Sequence, residues 1–277
     1  MAIKNMKEMS FLDHLEVLRW LLIRSTIAMV AMATIVFFFS DFIFDDILFA
    51  PTKVNFITYT SFCDLSHYLG FADSICVTEM PFIIQNTDME GQVNVLVWTC
   101  ITAGFILSFP YILFEFWKFV SPALYENERK HVVWFILVSS LLFFIGVLFC
   151  YYIVVPMSVN FFATIKVSDV VFNQFTLDSY ISMVKTSVVA SGLFFELPII
   201  IYFLTKIGLV TPAFLRKSRK IAIIIVLIVA AIVTPPDVVS QIIVTIPMLI
   251  IFEISVLISA MVVRKEDKVA TAGTLKT

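Results

Sequence analysis

The chain has 277 residues, of which 60% are hydrophobic and 14% are charged, with a mean hydropathy of +1.00 and a formal net charge of −2. This composition lies far from that of soluble domains and indicates an integral membrane protein. The three histidines are far apart, and no HExxH, Walker, GxSxG or CxxC pattern occurs. The sequence therefore favours neither an enzyme nor a metal or cofactor site, and we expect no nucleic-acid partner.

The N-terminal twenty residues mix acids with bases and lead into an apolar run without a small-residue cleavage site. No removable signal peptide is therefore expected. The segment also lacks the Arg- and Ser-rich, acid-poor character of an organelle transit sequence. These features favour a bacterial or archaeal plasma membrane, although an organelle-encoded protein remains an alternative.

The hydropathy pattern predicts an all-α protein with six transmembrane helices, each span needing about 20 apolar residues. The expected spans cover residues 21–39, 93–117, 132–155, 180–204, 221–234 and 239–262. The motif TPPD (Thr234–Asp237) separates the last two, because two consecutive prolines end a helix. The fifth span is then only ~21 Å long, which is short for a hydrocarbon core of about 30 Å.

The distribution of basic residues sets the direction of the spans. Sixteen of the 19 basic residues lie in the loops that six spans place on one side of the membrane. Only Lys53 and Lys166 lie in the opposite loops, and Lys185 lies inside a span. Because basic loops stay in the cytoplasm, we expect both termini to be cytoplasmic and the long first external loop to lie outside.

Glu196 lies in an otherwise apolar run, where a carboxylate costs about 2.5–3.5 kcal/mol on insertion scales. Helical spacing places Asp178, Ser182, Lys185 and Gly192 on the same stripe as Glu196. One interpretation is a buried, protonated glutamic acid that is hydrogen-bonded within the bundle. The other is a polar track facing a cavity or a partner helix, which Gln241 and Glu253 in the sixth span also favour.

Two further features bear on function or stability. Cys63 and Cys76 share the first external loop, where either a disulfide or two free thiols is compatible with the sequence, while Cys100 and Cys150 fall in spans and are expected to be buried thiols. The segment SFLDHLEVLRW starts with a capping box at Ser10 and predicts a helix that continues into the first span.

The loop from Phe116 to Lys130 combines aromatic residues, a proline turn and acids. Together with the N-terminal helix, this loop predicts an acidic pocket with an apolar lining. Such a pocket suits a ligand that carries arginines next to a hydrophobic helix. An ordinary interfacial helix and a simple charged loop are the alternatives.

Six stretches in the same order carry a resemblance to a known family. They are HLEVLR (14–19), FPYILFEFWKFVSPALYENERK (109–130), GLFFELP (192–198), LRKSRK (215–220), TPPDVVSQ (234–241) and PMLIIFEIS (247–255). Over nearly its whole length the chain resembles TatC, the twin-arginine protein translocase subunit. The resemblance implies a single TatC-like membrane domain over 1–277 that forms a concave scaffold and is not an enzyme.

The resemblance also implies a site for twin-arginine signal peptides of folded precursors. The residues implied are Glu16, Leu18, Arg19, Phe119, Pro122, Leu124, Tyr125, Glu126, Glu128 and Arg129. The family commonly has glutamate at the fourth position of its HLxELR motif, whereas this chain has Val17 there and a carboxylate at Glu16. Either Glu16 replaces that glutamate, or Glu126 and Glu128 carry more of the arginine pairing.

Further expectations follow from the same resemblance. Glu196 would face a membrane-embedded polar groove, Thr234 and Gln241 would contact partner helices, and Pro235, Pro236, Asp237 and Glu253 would be structural. Partners would be TatA- and TatB-type single-span proteins, membrane lipid and further copies of the chain, in a bacterial inner membrane, with transport driven by the proton-motive force. The main rival is a proton-coupled secondary transporter of a small solute.

Overall fold

The computed structural model is largely helical and describes residues 11–68, 70, 76, 77, 79–120, 132–166, 168, 171–234 and 238–274. In these residues, five helical stretches are long and apolar enough to cross a membrane: Leu15–Phe38, Gly91–Phe119, Val133–Thr164, Leu177–Lys206 and Gln241–Arg264. The predicted fold class, an all-α membrane protein, is confirmed. The remaining predicted span is a helix of 15 residues, ~22 Å long, so the count of six crossings stays a prediction.

The elements follow one another from a long N-terminal helix, α1 (Phe11–Phe38). Next come a helical turn (Ser40–Phe42), a π-helical segment (Ile43–Leu48), a 3-10 turn (Ala50–Thr52), α2 (Ile57–Tyr68), β1 (Phe82–Gln85) and α3 (Gly91–Val120). Helix α4 (Val132–Phe149) continues through a π-helical turn (Cys150–Val154) into α5 (Val155–Thr164). The last elements are β2 (Asn173–Thr176), α6 (Leu177–Phe195), α7 (Leu197–Lys206), α8 (Pro212–Lys217), α9 (Arg219–Val233) and α10 (Val238–Thr274).

Two helices extend beyond the ends predicted for their spans, and the span boundaries themselves stay a prediction. The third span was expected to end at 155, and the helical stretch continues through α5 to Thr164, with Pro156 in the first turn of α5, a position that tolerates a missing N–H. The sixth was expected to end at 262, yet α10 continues to Thr274. The lysines, glutamate and alanines that follow Arg264 end the apolar run but not the helix, since they are good helix formers.

The chain forms two compact units, one of residues 1–48, 86–141 and 176–181, and the other of residues 49–85, 142–175 and 182–277. In the first unit α1 packs along α3. A Cβ atom at Gly104 would lie 2.7 Å from the backbone nitrogen of Ala33 and 2.8 Å from the carbonyl oxygen of Met29. The two helices therefore approach more closely than a side chain at position 104 permits.

In the second unit, α4 and α6 also cross closely. A Cβ atom at Gly192 would lie 2.7 Å from the ring of Phe143, and the Ser191 hydroxyl donates to the carbonyl oxygen of Gly146 at 3.0 Å. A separate core joins α7, α8 and α10 through Ile201, Leu215, Phe252 and Val256. The predicted polar stripe thus packs, at Gly192, against a helix of the same chain.

The residues around α2 form a compact region of the second unit. The buried hydroxyl of Tyr59 lies 2.9 Å from the carbonyl oxygens of both Pro51 and Pro156, to either of which it donates. Burial raises the pKa of this hydroxyl well above its ordinary value. Cys63 and Cys76 are joined in a disulfide, with their Cα atoms 4.6 Å apart, so of the two alternatives the structure has the bridge.

Candidate functional site

A cavity of about 390 Å³ opens between one end of α1 and the C-terminal end of α3. Its walls are formed by Glu16, Val17, Trp20, Leu21 and Arg24 from α1 and by Glu115, Lys118 and Phe119 from α3. Spacings of three and four residues place these side chains on facing stripes of the two helices. The cavity therefore combines two carboxylates and two cations with an apolar wall.

Glu115 is the most buried charged group of this cavity, with only 4% of its side chain exposed. Its Oε1 atom lies 2.7 Å from Nζ of Lys118, one turn further along α3, and its Oε2 atom lies 3.5 Å from Nη1 of Arg24 on α1. Burial removes the hydration of a carboxylate, and this costs several kcal/mol unless paired cations offset it. The two cations therefore compensate the charge of the buried Glu115 carboxylate.

The aromatic side chains near the cavity are positioned by cations. Two arginines lie near the Trp20 ring, with Cζ of Arg19 at 5.6 Å and Cζ of Arg24 at 5.9 Å from the ring centroid. Nζ of Lys118 lies 4.0 Å from the ring centroid of Phe114. Such contacts stabilise a guanidinium or ammonium against an aromatic face by about 0.5–1 kcal/mol at exposed sites.

Of the residues implied by the resemblance, Glu16 and Phe119 line the cavity. Val17, which stands where the family motif commonly has glutamate, lines it too. Leu18 is half-buried, and the exposed Arg19 contacts Trp20 rather than the cavity. The remaining candidates lie outside the described residues: Pro122, Leu124, Tyr125, Glu126, Glu128 and Arg129.

Sequence reasoning assigned no role to Glu115 or Arg24. The available signal was a carboxylate inside the second apolar run, three residues before Lys118. Ionisable residues within a membrane span are functional candidates by default. The partnership with Arg24 depends on the packing of α1 against α3, which no spacing within either helix reveals.

Glu196 lies at a break between α6 and α7, not within one continuous helix as expected for the span 180–204. Its N–H donates to the carbonyl oxygen of Leu193 at 3.2 Å, a three-residue turn. Pro198 follows in the first turn of α7 and has no N–H for the helical bond. Glu196 is buried, with 6% of its residue surface exposed.

The other predicted residues of the second unit lie around α9 and α10. The buried Thr234 caps the end of α9, its hydroxyl donating to the carbonyl oxygen of Ala230 at 2.9 Å. The amide of Gln241 lies 3.5 Å from the carbonyl oxygen of Leu227. Glu253 forms an ion pair with Arg219 at 2.8 Å. Pro235, Pro236 and Asp237 lie outside the described residues.

One group of described residues has the spacing of metal ligands. Donor atoms of Cys63, His67 and Cys76 lie within 4.8 Å of one another. The two sulfur atoms are bonded to each other, whereas a metal would need them as thiolates. The group is a disulfide with a neighbouring imidazole, not a metal centre.

Comparison with known proteins gives consistent matches. The family model described as "Sec-independent protein translocase protein (TatC)" matches residues 13–247. The chain is 44% identical to the TatC protein of Blattabacterium sp. subsp. Periplaneta americana (strain BPLAN), over 95% of this chain and 100% of that protein. It is 36% identical to TatCy of Bacillus subtilis (strain 168), over 97% of this chain and 95% of that protein.

Among solved structures, the fold is similar to the crystal structure of the "Twin Arginine Translocase Receptor- TatC". The TM-score is 0.68 at 33% sequence identity, covering 90% of this chain and 99% of that chain. A second structure of that receptor, in DDM, gives a TM-score of 0.69 at the same identity.

The long apolar helices define a multi-pass, predominantly helical membrane protein. The chain belongs to the TatC family of Sec-independent protein translocase proteins. It is therefore a component of a protein translocation system and not an enzyme, as the sequence motifs indicated. The family match does not favour the alternative of a small-solute transporter.

Proposed function

We propose that this chain is the receptor subunit of a twin-arginine translocation system, binding twin-arginine signal peptides of folded precursors at its cytoplasmic face. The observation that carries the proposal is the cavity between α1 and α3, where carboxylates lie beside an apolar wall. A guanidinium pairs well with a carboxylate, and the apolar wall suits the hydrophobic part of such a peptide.

The proposed orientation places both termini, and the cavity with them, on the cytoplasmic side of a bacterial inner membrane. It rests on the loops that connect the spans, which carry most of the basic residues on one side. We treat residues 1–277 as one functional domain, with the disulfide-linked region around α2 on the outer side, where an oxidising compartment preserves the bond.

The proposed partners are TatA- and TatB-type single-span proteins and further copies of this chain, in transport driven by the proton-motive force. Thr234 and Gln241 are the proposed contacts for partner helices, because they flank the short helix α9. We further propose that a polar groove reaches Glu196 at the break between α6 and α7. Because only 6% of the surface of Glu196 is exposed, such a groove would reach a small part of this residue.

Site-specific photocrosslinking tests the proposal. A photoreactive residue at position 16, 17 or 128 should crosslink a precursor with an intact twin-arginine signal peptide and lose that product with its twin-lysine variant. The matched control is position 90, an exposed glutamate just before α3 begins. Equal crosslinking of both precursors, or crosslinks only at position 90, would contradict the proposal.

A further inference from the structure

Glu115 has the properties of a ligand-binding carboxylate, although the sequence drew attention to other residues. It is 4% exposed, whereas Glu16, which lines the same cavity, is exposed. A solvated carboxylate gains little from an ion pair, while a desolvated one binds its cation more strongly. Any cationic group that enters the cavity therefore gains most by reaching Glu115.

The two cations that neutralise Glu115 are held differently. Nζ of Lys118 is 2.7 Å from Oε1 and lies against the Phe114 ring. Nη1 of Arg24 is 3.5 Å from Oε2, longer than the usual 2.7–2.9 Å of a charge-assisted hydrogen bond. Arg24 also has 51% of its side chain exposed, so water can solvate it when it leaves.

An incoming guanidinium can therefore exchange with Arg24. During such an exchange the carboxylate of Glu115 stays paired, so the cost of an uncompensated buried charge does not arise. The planar fork of a guanidinium matches carboxylate geometry, whereas an ammonium is a point charge. The neighbouring Trp20 and Phe119 side chains offer apolar surface to residues that follow the arginines.

We propose that Glu115 binds one guanidinium of the twin-arginine motif and that Arg24 occupies this position until the peptide arrives. The inference rests on the proposed function and names the residue that selects arginine over lysine. It also accounts for Val17, since Val17 and Glu115 line the same cavity from opposite helices. The carboxylate that the motif lacks on α1 is supplied by α3.

The test measures binding of two fluorescent synthetic peptides to the full-length protein in lipid nanodiscs. Both peptides contain an apolar stretch, preceded in one by two arginines and in the other by two lysines. Wild type should prefer the arginine peptide, and Glu115→Gln should weaken its binding about tenfold or more, a loss of ~1.4 kcal/mol, and remove the preference. Glu115→Asp should give an intermediate loss.

The double variant Val17→Glu/Glu115→Gln moves the carboxylate to the opposite wall and should recover most of the binding and the preference. Glu16→Gln should weaken binding less than Glu115→Gln, and Glu90→Gln, just before the other end of α3, should leave it unchanged. Thermal unfolding of each variant separates loss of the site from loss of the fold, and Glu115→Asp keeps the test valid if Glu115→Gln does not fold.

The outcomes distinguish a failure of this inference about Glu115 from a failure of the proposed function. If wild type prefers the arginine peptide and both Glu115 variants retain wild-type affinity, this inference is overturned and the proposed function stands. If Glu16→Gln removes the preference and Glu115→Gln does not, Glu16 is the selecting carboxylate. If wild type binds neither peptide, the proposed function itself fails.

Discussion

Arg24 of α1 and Glu115 of α3 face each other across the contact between the two helices, with 3.5 Å between Nη1 and Oε2. Further along the same pair of helices, Gly104 and Ala33 bring the backbones together. One end of the contact is therefore held by charge and the middle by close packing. The two kinds of contact predict different mutational behaviour.

Arg24→Gln should strengthen binding of the twin-arginine peptide by about two- to fivefold, because it frees one oxygen of Glu115 and removes a competing cation. The free energy of unfolding should fall by no more than about 1 kcal/mol, since half of the Arg24 side chain is exposed. Lys220→Gln, which removes an exposed cation on α9, is the matched control in both measurements. Weaker peptide binding by Arg24→Gln would show that Arg24 does not compete for Glu115.

Gly104→Leu should destabilise the protein by about 1–3 kcal/mol, the usual cost of overpacking, because α1 occupies the space that the new side chain needs. Val97→Leu adds bulk to an exposed position of the same helix and should have little effect. Thermal unfolding in detergent compares the two variants. Equal melting temperatures for Gly104→Leu and wild type would contradict the close α1–α3 contact.

The disulfide predicts a fixed number of reactive thiols. Denatured, unreduced protein should label at two cysteines, Cys100 and Cys150, and reduced protein at all four. A Cys100→Ser/Cys150→Ser control should label at none before reduction and at two after it. Removing the bridge with Cys63→Ser/Cys76→Ser should cost about 3 kcal/mol, given the 13-residue separation. Four labels before reduction would contradict the bridge.

Tyr59 predicts a loss of stability at alkaline pH. Burial raises the pKa of its hydroxyl in the folded protein above the value of about 10 in the unfolded chain. The contribution of this hydroxyl to stability is therefore complete below pH ~10 and declines as the pH rises further. Tyr59→Phe should cost about 1 kcal/mol at neutral pH, through the lost hydrogen bond, and should remove this decline.

The measurement for Tyr59 is unfolding of wild type and Tyr59→Phe between pH 8 and 11. Tyr68→Phe, at a position with 89% exposure, controls for the titration of the other tyrosines and should behave like wild type. If the difference between wild type and Tyr59→Phe stays constant across this range, the Tyr59 hydroxyl does not titrate differently in the folded state.

Glu196→Gln should separate transport from peptide binding. We expect transport of a precursor into inverted vesicles to fall about tenfold, corresponding to a loss of ~1.4 kcal/mol of coupling to a partner helix, while peptide affinity stays unchanged. Glu115→Gln should show the opposite order, with binding lost first. Unchanged transport by folded Glu196→Gln would remove this residue from the mechanism.

The helices could be predicted from sequence because each long apolar run must satisfy its own backbone hydrogen bonds in lipid. The helices extend past the predicted span ends where hydropathy and helix propensity diverge, as in the charged residues after Arg264. The joint at Glu196 was missed because a hydropathy window averages over a single proline. Pro198 was visible in the sequence, and its missing N–H was the relevant signal.

Part of the cavity lining could be named from the sequence. The motif positions led to Glu16 and Phe119, which do line the cavity. The role of Glu115 could not be predicted, because it depends on the contact with Arg24, which is 91 positions away along the chain. Contacts between helices distant in sequence leave no periodicity in either one, so only the packed structure could bring this pair together.

The ion pair between Arg219 and Glu253 has a consequence for the surrounding lipid. Glu253 precedes Arg264 by about three turns of α10, or ~16 Å of helical rise, and about half of each side chain of the pair is exposed. We expect phospholipid headgroups and hydration water to reach toward these charges, because acyl chains do not solvate them. The leaflet should therefore be thinner beside this ion pair, so that polar atoms cross a shorter stretch of the hydrocarbon core there.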